Sequence, residues 1–307
     1  MGRMVIAICS ILITFLVSSL PVQKQILPFY HASTNSWSYI LADPARKVCA
    51  FIDPVLDFEP GAGTVQHDFI TLMLNAAAEA DLQVAWVLET HIHADHVSAA
   101  DFVRQQTGAQ IGIGRGVEQV SALFKPIFNL GDQHPSVRVA FDRLFEPGET
   151  LFVGELAVTV LATPGHTPAC VAYQVEDAVF VGDTLFMPDY GTARADFPGG
   201  DAQRLFESIT QLLSLPDTTV FYLCHDYPTA DRTAPCHEVT VADQRSNRQL
   251  LDRDAAAFVA FRQHRDAQLS APRLLYPAIQ INLAAGRLPN PEDNGQCYLK
   301  LPIRETV

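Results

Sequence analysis

The sequence lacks a C-x-x-C pair, and its six cysteines, at positions 9, 49, 170, 224, 236 and 297, are scattered along 307 residues. This spacing excludes a zinc ribbon and a disulfide scaffold, and it favours free, mostly buried thiols. Basic residues are also few, with 21 Lys and Arg against 34 Asp and Glu, so the formal net charge is -13. A surface that neutralises many phosphates is therefore disfavoured, and we do not expect nucleic acid as a partner.

The chain also lacks internal repeats and low-complexity segments, and 48% of its residues are hydrophobic. A chain of this length and composition forms one large core or two modest ones. An uncharged apolar run, Met4 to Leu20, follows Arg3 and precedes Pro21, as in a secretory signal. The run reaches only the lower end of the ~17–25 residues that span a bilayer, so a signal peptide, an uncleaved anchor and a misassigned start codon are open alternatives.

Hydrophobic patterns between residues 36 and 223 predict strands that alternate with helices and hairpins. Apolar residues at helical spacing predict a helix over Phe69 to Ala80, and Asp201 is expected to cap a helix that ends before Pro216. Strand patterns occupy the runs 38–41, 48–52, 84–88, 151–153, 156–161, 171–175, 179–181 and 220–223. Beyond about residue 231 we expect two helices and a proline-rich tail.

The segment ETHIHADH, residues 89–96, follows the buried strand expected over 84–88. Because side chains alternate along a strand, His91 and His93 can converge on one point. Asp95 and His96 lead into a helix expected over 97–106 and can face the same point from the other side. Four ligand-type side chains within six residues indicate a metal site.

Three further ligand-type residues stand where a strand is expected to end: His166, Asp183 and His225. Functional groups tend to lie in turns next to rigid strands, and the recurrence favours one metal centre over accidental placement. Asp53 also ends a strand, and it either orients a ligating histidine or only forms a turn. Cys224 is expected to point away from the site and to pack in the core.

The set and order of these residues, from Thr90-His91-x-His93-x-Asp95-His96 to His166, Asp183 and His225, resembles the metallo-β-lactamase superfamily. The resemblance implies an α+β fold, a four-layer αββα sandwich with the metal centre at one edge. Three more stretches, residues 182–202, 223–228 and 279–303, resemble the persulfide dioxygenase branch and its bacterial β-lactamase-hydrolase-like members. We therefore expect an apolar segment over 1–25, a catalytic domain over 26–230, and C-terminal helices and a tail over 231–307 that pack on the same domain.

In that branch one Fe(II) is held by two histidines and one aspartate, which match His91, His166 and Asp183. Such a ligand set leaves positions open for a sulfur substrate and dioxygen. The resemblance thus implies a persulfide dioxygenase with one Fe(II) per chain, which converts glutathione persulfide, dioxygen and water into thiol and sulfite. The remaining ligand types match positions that hydrolases of the superfamily use for a two-zinc site: His93, Asp95, His96 and His225. The alternative is therefore a glyoxalase II-like hydrolase of thioesters or lactones with two Zn(II), and a non-catalytic metal-binding sensor is a third candidate.

The resemblance also implies Asp95 and Tyr227 as catalytic residues, and Arg194 and Tyr227 as substrate residues. An arginine suits an anionic substrate on an acidic protein. A salt bridge from Arg194 to Asp196 or Asp189 is the structural alternative. These assignments predict that an anionic thiol derivative is bound next to the metal.

The chain departs from its relatives in the branch at Ala195 and Arg248, where they tend to have cysteine and asparagine. A role for a thiol at the first of these positions is therefore absent. Fe(II) chemistry on reduced thiols favours a cytoplasmic location, with a small-molecule persulfide and dioxygen as partners. The run over residues 4–20 leaves weak membrane association and a membrane-anchored or periplasmic location open, and a homo-oligomer is open as well.

Overall fold

A computed structural model describes residues 23–131, 133–303 and 305 of the chain. The apolar run over residues 4–20 lies outside the described residues, so its alternatives stay predictions. Within the described part of the chain, no helix combines the length and the apolar character needed to cross a membrane.

The first half of the chain builds a mixed six-stranded sheet and a small three-stranded one. Their strands are β1 (Gln25–His31), β2 (Ser36–Asp43), β3 (Val48–Ile52), β4 (Val55–Glu59), β5 (Thr64–Gln66), β6 (Gln83–Glu89), β7 (Val97–Ser98), β8 (Gln110–Gly114) and β9 (Arg143–Phe145). The large sheet has the order β1-β2-β3-β6-β8-β9 and the small one the order β5-β4-β7. Pairing in the large sheet is antiparallel up to β3 and parallel from β3 onward, where helices supply the crossovers.

The second half builds another six-stranded sheet from the strands β10 (Thr150–Val153), β11 (Leu156–Ala162), β12 (Val171–Val175), β13 (Ala178–Phe180), β14 (Val220–Tyr222) and β15 (Glu238–Thr240). These strands follow one another in the sheet in sequence order. Neighbours pair antiparallel except β13 and β14, which are parallel. The helix that joins this parallel pair packs on the outer face of the sheet.

Helices cover the outer faces of both large sheets. They are α1 (Asp68–Glu79), α2 (Ala100–Thr107), α3 (Val117–Phe128), α4 (Val137–Ala140), α5 (Ala202–Leu213), α6 (Val241–Gln244), α7 (Ala255–Asp266) and α8 (Leu275–Asn282). One apolar core joins the first sheet to α1, α2, α3 and α8, a second lies between the two sheets, and a third joins the second sheet to α5 and α7. The predicted four-layer αββα sandwich is thereby confirmed.

Strand β2 shows why the two sheets stack. All eight of its residues are buried. Ile40 and Ala42 belong to the core under the helices, whereas Tyr39 and Leu41 belong to the core between the sheets. Because the side chains of a strand alternate, a strand that is apolar on both faces must be covered on both faces.

Most predicted elements agree with the structure, and two do not. The runs 48–52 and 171–175 coincide with β3 and β12, and Asp201 caps α5 by accepting the backbone N–H groups of the two residues at positions 203 and 204. The prediction of a helix over 97–106 is wrong at its start. Val97 and Ser98 form β7, which pairs with β4, and α2 begins only after it. The two helices expected beyond residue 231 are preceded by β15 and α6, and β15 completes the second sheet. Both errors involve pairing partners that are distant in sequence.

Candidate metal centre

Polar side chains follow the ends of five strands, β3, β6, β11, β13 and β14, at one edge of the stacked sheets. They are Asp53, the segment 91–96, His166, Asp183 and His225. Except for Asp95, these ligand-type residues are buried. The structure thus brings all seven ligand-type residues expected from the sequence to one place and sets Asp53 beside them.

The first ligand group consists of His91, His166 and Asp183, whose ligand atoms all lie within 4.8 Å of one another. The Oδ2 atom of Asp183 is 3.7 Å from Nε2 of His91 and 3.7 Å from Nε2 of His166. Gly182 has a φ of 53°, and a Cβ atom there would meet Oγ1 of Thr90 at 2.8 Å. Only glycine therefore lets the turn that carries Asp183 approach the His91 loop so closely.

The second ligand group consists of His93, Asp95, His96 and His225, again within 4.8 Å of one another. The Nε2 atom of His225 lies 3.2 Å from Oδ2 of Asp95 and 3.4 Å from Oδ1 of Asp183. One oxygen of Asp183 therefore faces the first group and the other faces the second. The two groups are adjacent and share this carboxylate.

Several buried ligand atoms of the two groups have no hydrogen-bond partner. They are Nε2 of His91, Nδ1 of His93, Nε2 of His96, Nε2 of His225 and Oδ1 of Asp183. A buried polar atom without a partner costs roughly 1–3 kcal/mol, so a cluster of five needs an occupant. Imidazole nitrogens and carboxylate oxygens in this number suit transition-metal ions, and the residues therefore fit the metal that the site implies.

The second ring nitrogen of each histidine is held by the protein. Nδ1 of His91 contacts Oγ1 of Thr90 at 3.0 Å, and Nδ1 of His166 contacts the backbone oxygen of Arg194 at 2.7 Å. Ser36 Oγ lies 3.2 Å from Nδ1 of His96 and 3.3 Å from Nδ1 of His225. A hydrogen bond at one nitrogen fixes the ring orientation and directs the lone pair of the other toward a metal.

Burial and neighbouring charges shift the pKa of His91, His93 and His96. It lowers the pKa of His91 and of His96 well below the usual value for histidine, and neighbouring imidazoles lower it further. Both side chains are therefore neutral, which is the form that binds metals. At His93 burial also lowers the pKa, but the Asp53 and Glu89 carboxylates outweigh it and raise the pKa well above the usual value. A metal must therefore displace a proton there, and metal binding at this position depends on pH.

Asp53 holds both the loop and one imidazole. Its Oδ1 accepts the backbone N–H of Thr90 at 2.7 Å and lies 3.1 Å from Nε2 of His93, while its Oδ2 accepts the hydroxyl of Thr90 at 2.8 Å. A carboxylate behind a ligating histidine raises the ligand's basicity, and its loss typically costs 10–100-fold in metal affinity. Asp53 is thus placed to orient a ligand rather than only to form a turn.

We expect Asp53→Asn to weaken metal binding roughly 10–100-fold, because the amide keeps the shape but loses the charge that supports His93. Asparagine tolerates the φ of 47° at this position, so the backbone remains unstrained. The measurement is competition with a chromophoric chelator. Asp81→Asn is the matched control, since Asp81 also has a positive φ of 54° but is 77% exposed in its side chain. Equal affinities for the two variants would contradict this role.

Arg194 and Tyr227, the residues expected to bind substrate, line a cavity of ≈ 350 Å³ beside the ligand groups. Asp95, His166 and Asp183 line the same cavity. Burial raises the pKa of Tyr227 well above its usual value, so its phenol stays protonated. The guanidinium of Arg194 donates two hydrogen bonds to the carboxylate of Asp196, at 2.6 and 2.7 Å. The Asp196 salt bridge of the sequence-based alternative is therefore present. The Asp189 alternative is wrong, because Asp189 pairs with Arg232.

The interpretation of Cys224 as turned away from the site is also wrong. Its sulfur lies within 4.8 Å of ligand atoms of Asp183 and His225. Strand β14 ends at Tyr222, so the alternation of side chains no longer applies two residues later. Burial raises the pKa of this thiol well above its usual value, which disfavours the thiolate that binds metals.

A residue from the end of the chain that sequence reasoning missed also supports the site. The side-chain amide of Asn282, in α8, donates to the backbone oxygens of His93 and His96 at 2.9 Å each, and its oxygen accepts the N–H of Ser98 at 2.8 Å. Asn282 is buried, and it clamps the loop that carries four ligand-type residues. No local pattern predicts a contact over a separation of 189 residues. The C-terminal segment is thus part of the architecture of the metal centre.

Comparison with known proteins agrees with this geometry. The family model of the metallo-beta-lactamase superfamily matches residues 36–225. The chain is 45% identical to a "Probable metallo-hydrolase" of Burkholderia pseudomallei, with 90% of this chain and 97% of that protein covered. It is 43% identical to "Glyoxylase B2" of Dictyostelium discoideum, with 91% and 96% covered. Both matches cover more of the chain than the family model does.

More distant similarity extends to proteins named ETHE1, one of which is called a persulfide dioxygenase. The chain is 28% identical to "Persulfide dioxygenase ETHE1, mitochondrial" of Bos taurus, with 84% of this chain and 87% of that protein covered. The crystal structure of ETHE1 from Myxococcus xanthus superposes with a TM-score of 0.69 at 27% identity, over 86% of this chain and 100% of that one. The family match, the relatives and the ligand groups lead to the same conclusion: the chain belongs to the metallo-β-lactamase superfamily of metal-dependent enzymes.

Proposed function

We propose that the chain is a two-metal hydrolase of thioesters or lactones. The observation that carries this proposal is the position of Asp183, whose two oxygens face the two ligand groups at 3.7 and 3.4 Å. A carboxylate between two adjacent groups is suited to hold two ions. A single ion in the first group would leave buried nitrogens of His93, His96 and His225 without partners. The hydrolase names of the full-length relatives support the same proposal.

The two groups of the centre would hold the ions as follows: His91, His166 and Asp183 on one side, and His93, Asp95, His96, His225 and Asp183 on the other. When bound, two divalent ions such as Zn(II) supply the Lewis acidity that activates water at neutral pH. The Asp95 side chain, 25% exposed, is accessible from the cavity and can accept a proton from the attacking water. The protonated phenol of Tyr227 can donate a hydrogen bond to the substrate carbonyl or to the leaving sulfur.

A second candidate is the Fe(II)-dependent persulfide dioxygenase. Two specific observations favour it. The first ligand group has two imidazoles and one carboxylate, the set typical of non-haem iron oxygenases, for which iron supplies the redox chemistry with dioxygen. In addition, the similarity to proteins with ETHE1 in their names spans 84% and 86% of the chain rather than only the metal-binding half. Under this proposal glutathione persulfide, dioxygen and water give glutathione and sulfite.

Metal analysis of protein purified without oxygen, combined with two activity assays, separates the candidates. We expect about two metal ions per chain and hydrolysis of S-lactoylglutathione or a lactone, as a two-metal centre requires. One iron per chain, oxygen uptake with glutathione persulfide, and no thioester hydrolysis would instead support the dioxygenase. Tight metal binding without either activity would leave the non-catalytic sensor.

A further inference from the structure

The cavity beside the metal centre has two arginines in its wall, and they differ in their surroundings. Its volume of ≈ 350 Å³ is within the range of small-molecule sites. The part next to the ligand groups is acidic, with Asp95 and Asp183, and the side walls are aromatic, with Phe186, Tyr190 and Tyr227. A substrate anion would be repelled by the acidic end and by a chain of net charge -13. It therefore needs a cation elsewhere in the cavity.

Arg194 is poorly suited to that role because its guanidinium is already engaged. Asp196 binds the guanidinium through both carboxylate oxygens, and Nη1 of Arg194 donates to the backbone oxygen of Ser270 at 2.8 Å. The side chain is only 15% exposed and lies over the ring of Phe197 at 4.8 Å. A guanidinium that is already paired with a carboxylate attracts a second anion only weakly.

Arg273 lines the same cavity and is far less engaged. It lies in the segment between α7 and α8, three positions after Ser270. Its Nη1 is 3.9 Å from Oε2 of Glu59, beyond hydrogen-bond distance, and the two side chains are 55% and 60% exposed. An exposed pair of this kind contributes little and is readily exchanged for another carboxylate.

We propose that Arg273 binds a carboxylate of the substrate, and that Arg194 positions the segment that carries Arg273. The backbone oxygen of Arg194 holds Nδ1 of His166, while its side chain holds Ser270. The same residue thus connects a metal ligand to the segment with the substrate cation. The ligand class is a thiol conjugate with a carboxylate remote from the reacting sulfur. This inference rests on the proposed function only in that the substrate is a thiol derivative.

The test measures binding rather than turnover, so it stands even if thioester hydrolysis fails. Calorimetry of the zinc-loaded full chain with S-methylglutathione gives the Kd, and the diethyl ester of the same compound lacks the carboxylates. We expect Arg273→Gln to weaken S-methylglutathione roughly tenfold or more and to leave the diethyl ester unchanged, as for loss of a charged hydrogen-bond partner. Arg273→Lys should recover part of the affinity. Arg245→Gln, at an arginine that is 57% exposed in another part of the surface, should bind both probes as the unmodified chain does.

Arg194→Gln should weaken both probes alike, because it releases the segment rather than removing the partner of the anion. The reverse pattern, a loss confined to S-methylglutathione in Arg194→Gln and none in Arg273→Gln, would overturn the proposal. Failure of the unmodified chain to bind S-methylglutathione more tightly than its diethyl ester would also overturn it.

Discussion

Asp183→Ala should lose both metal ions and at least about a thousandfold of the enzyme's activity. The two oxygens of Asp183 face both ligand groups, so its removal weakens both at once. Metal ions supply several kcal/mol of transition-state stabilisation, and about 1.4 kcal/mol corresponds to a factor of ten. Metal content per chain and kcat/KM are the two measurements.

Thermal unfolding provides a further readout for Asp183→Ala that does not depend on activity. Metal binding to the native state raises the Tm of the unmodified chain, whereas the Tm of the variant should no longer respond to metal. Asp177→Ala is a suitable control, because Asp177 is 67% exposed and pairs with Lys24. A variant that retains two metals would show that Asp183 lies outside the coordination sphere.

His225→Ala should have the next largest effect, and it separates the two candidate functions. The substitution removes a ligand of the second group and leaves His91, His166 and Asp183 in place. For a two-metal hydrolase we expect the metal content to fall from about two to one per chain. We also expect hydrolysis to fall roughly 10²–10³-fold, since the second ion contributes several kcal/mol.

A mononuclear dioxygenase predicts another result for the same variant. Iron in the first group would remain, and oxygen uptake would stay within about a factor of ten. His264→Ala is the control, because His264 is an exposed residue of α7 whose imidazole is hydrogen-bonded to Gln268, just beyond the end of the helix. Loss of all metal in His225→Ala would contradict the division into two groups.

Local sequence patterns predicted many of the strands and helices, because the spacing of apolar residues that favours each of them lies within a short segment. The strands over 48–52 and 171–175 are dense in apolar residues, and the helix predicted over 69–80 is found at 68–79. The ligand residues were recognisable because each is a residue of metal-binding type next to a strand end. A strand end is a local feature, and strands that run in the same direction bring their ends to one edge of a sheet.

Other features depend on partners that are distant in the chain. Val97 and Ser98 pair with β4, more than 40 positions earlier in the chain, where the local pattern had predicted the start of a helix. Cys224 approaches the site because its strand ends earlier than its hydrophobic run. The guanidinium of Arg194 is engaged by the nearby Asp196 and also by the backbone of Ser270, in a segment far along the chain. Local preferences are small in energy and do not encode contacts with distant segments.

By itself the sequence determined many of the strands and helices and the identities of the seven ligand-type residues, because alternation, turn residues and residue type are properties of short segments, whereas the four-layer order followed from the family resemblance. The tertiary structure supplied the distances, which set the two groups side by side with Asp183 facing both of them. It also decided that Asn282 clamps the loop from α8, and that Arg273 lines the same cavity as Arg194 with a guanidinium that is far less engaged. These outcomes depend on distances between segments far apart in the chain, which packing of the four layers sets and no local pattern encodes.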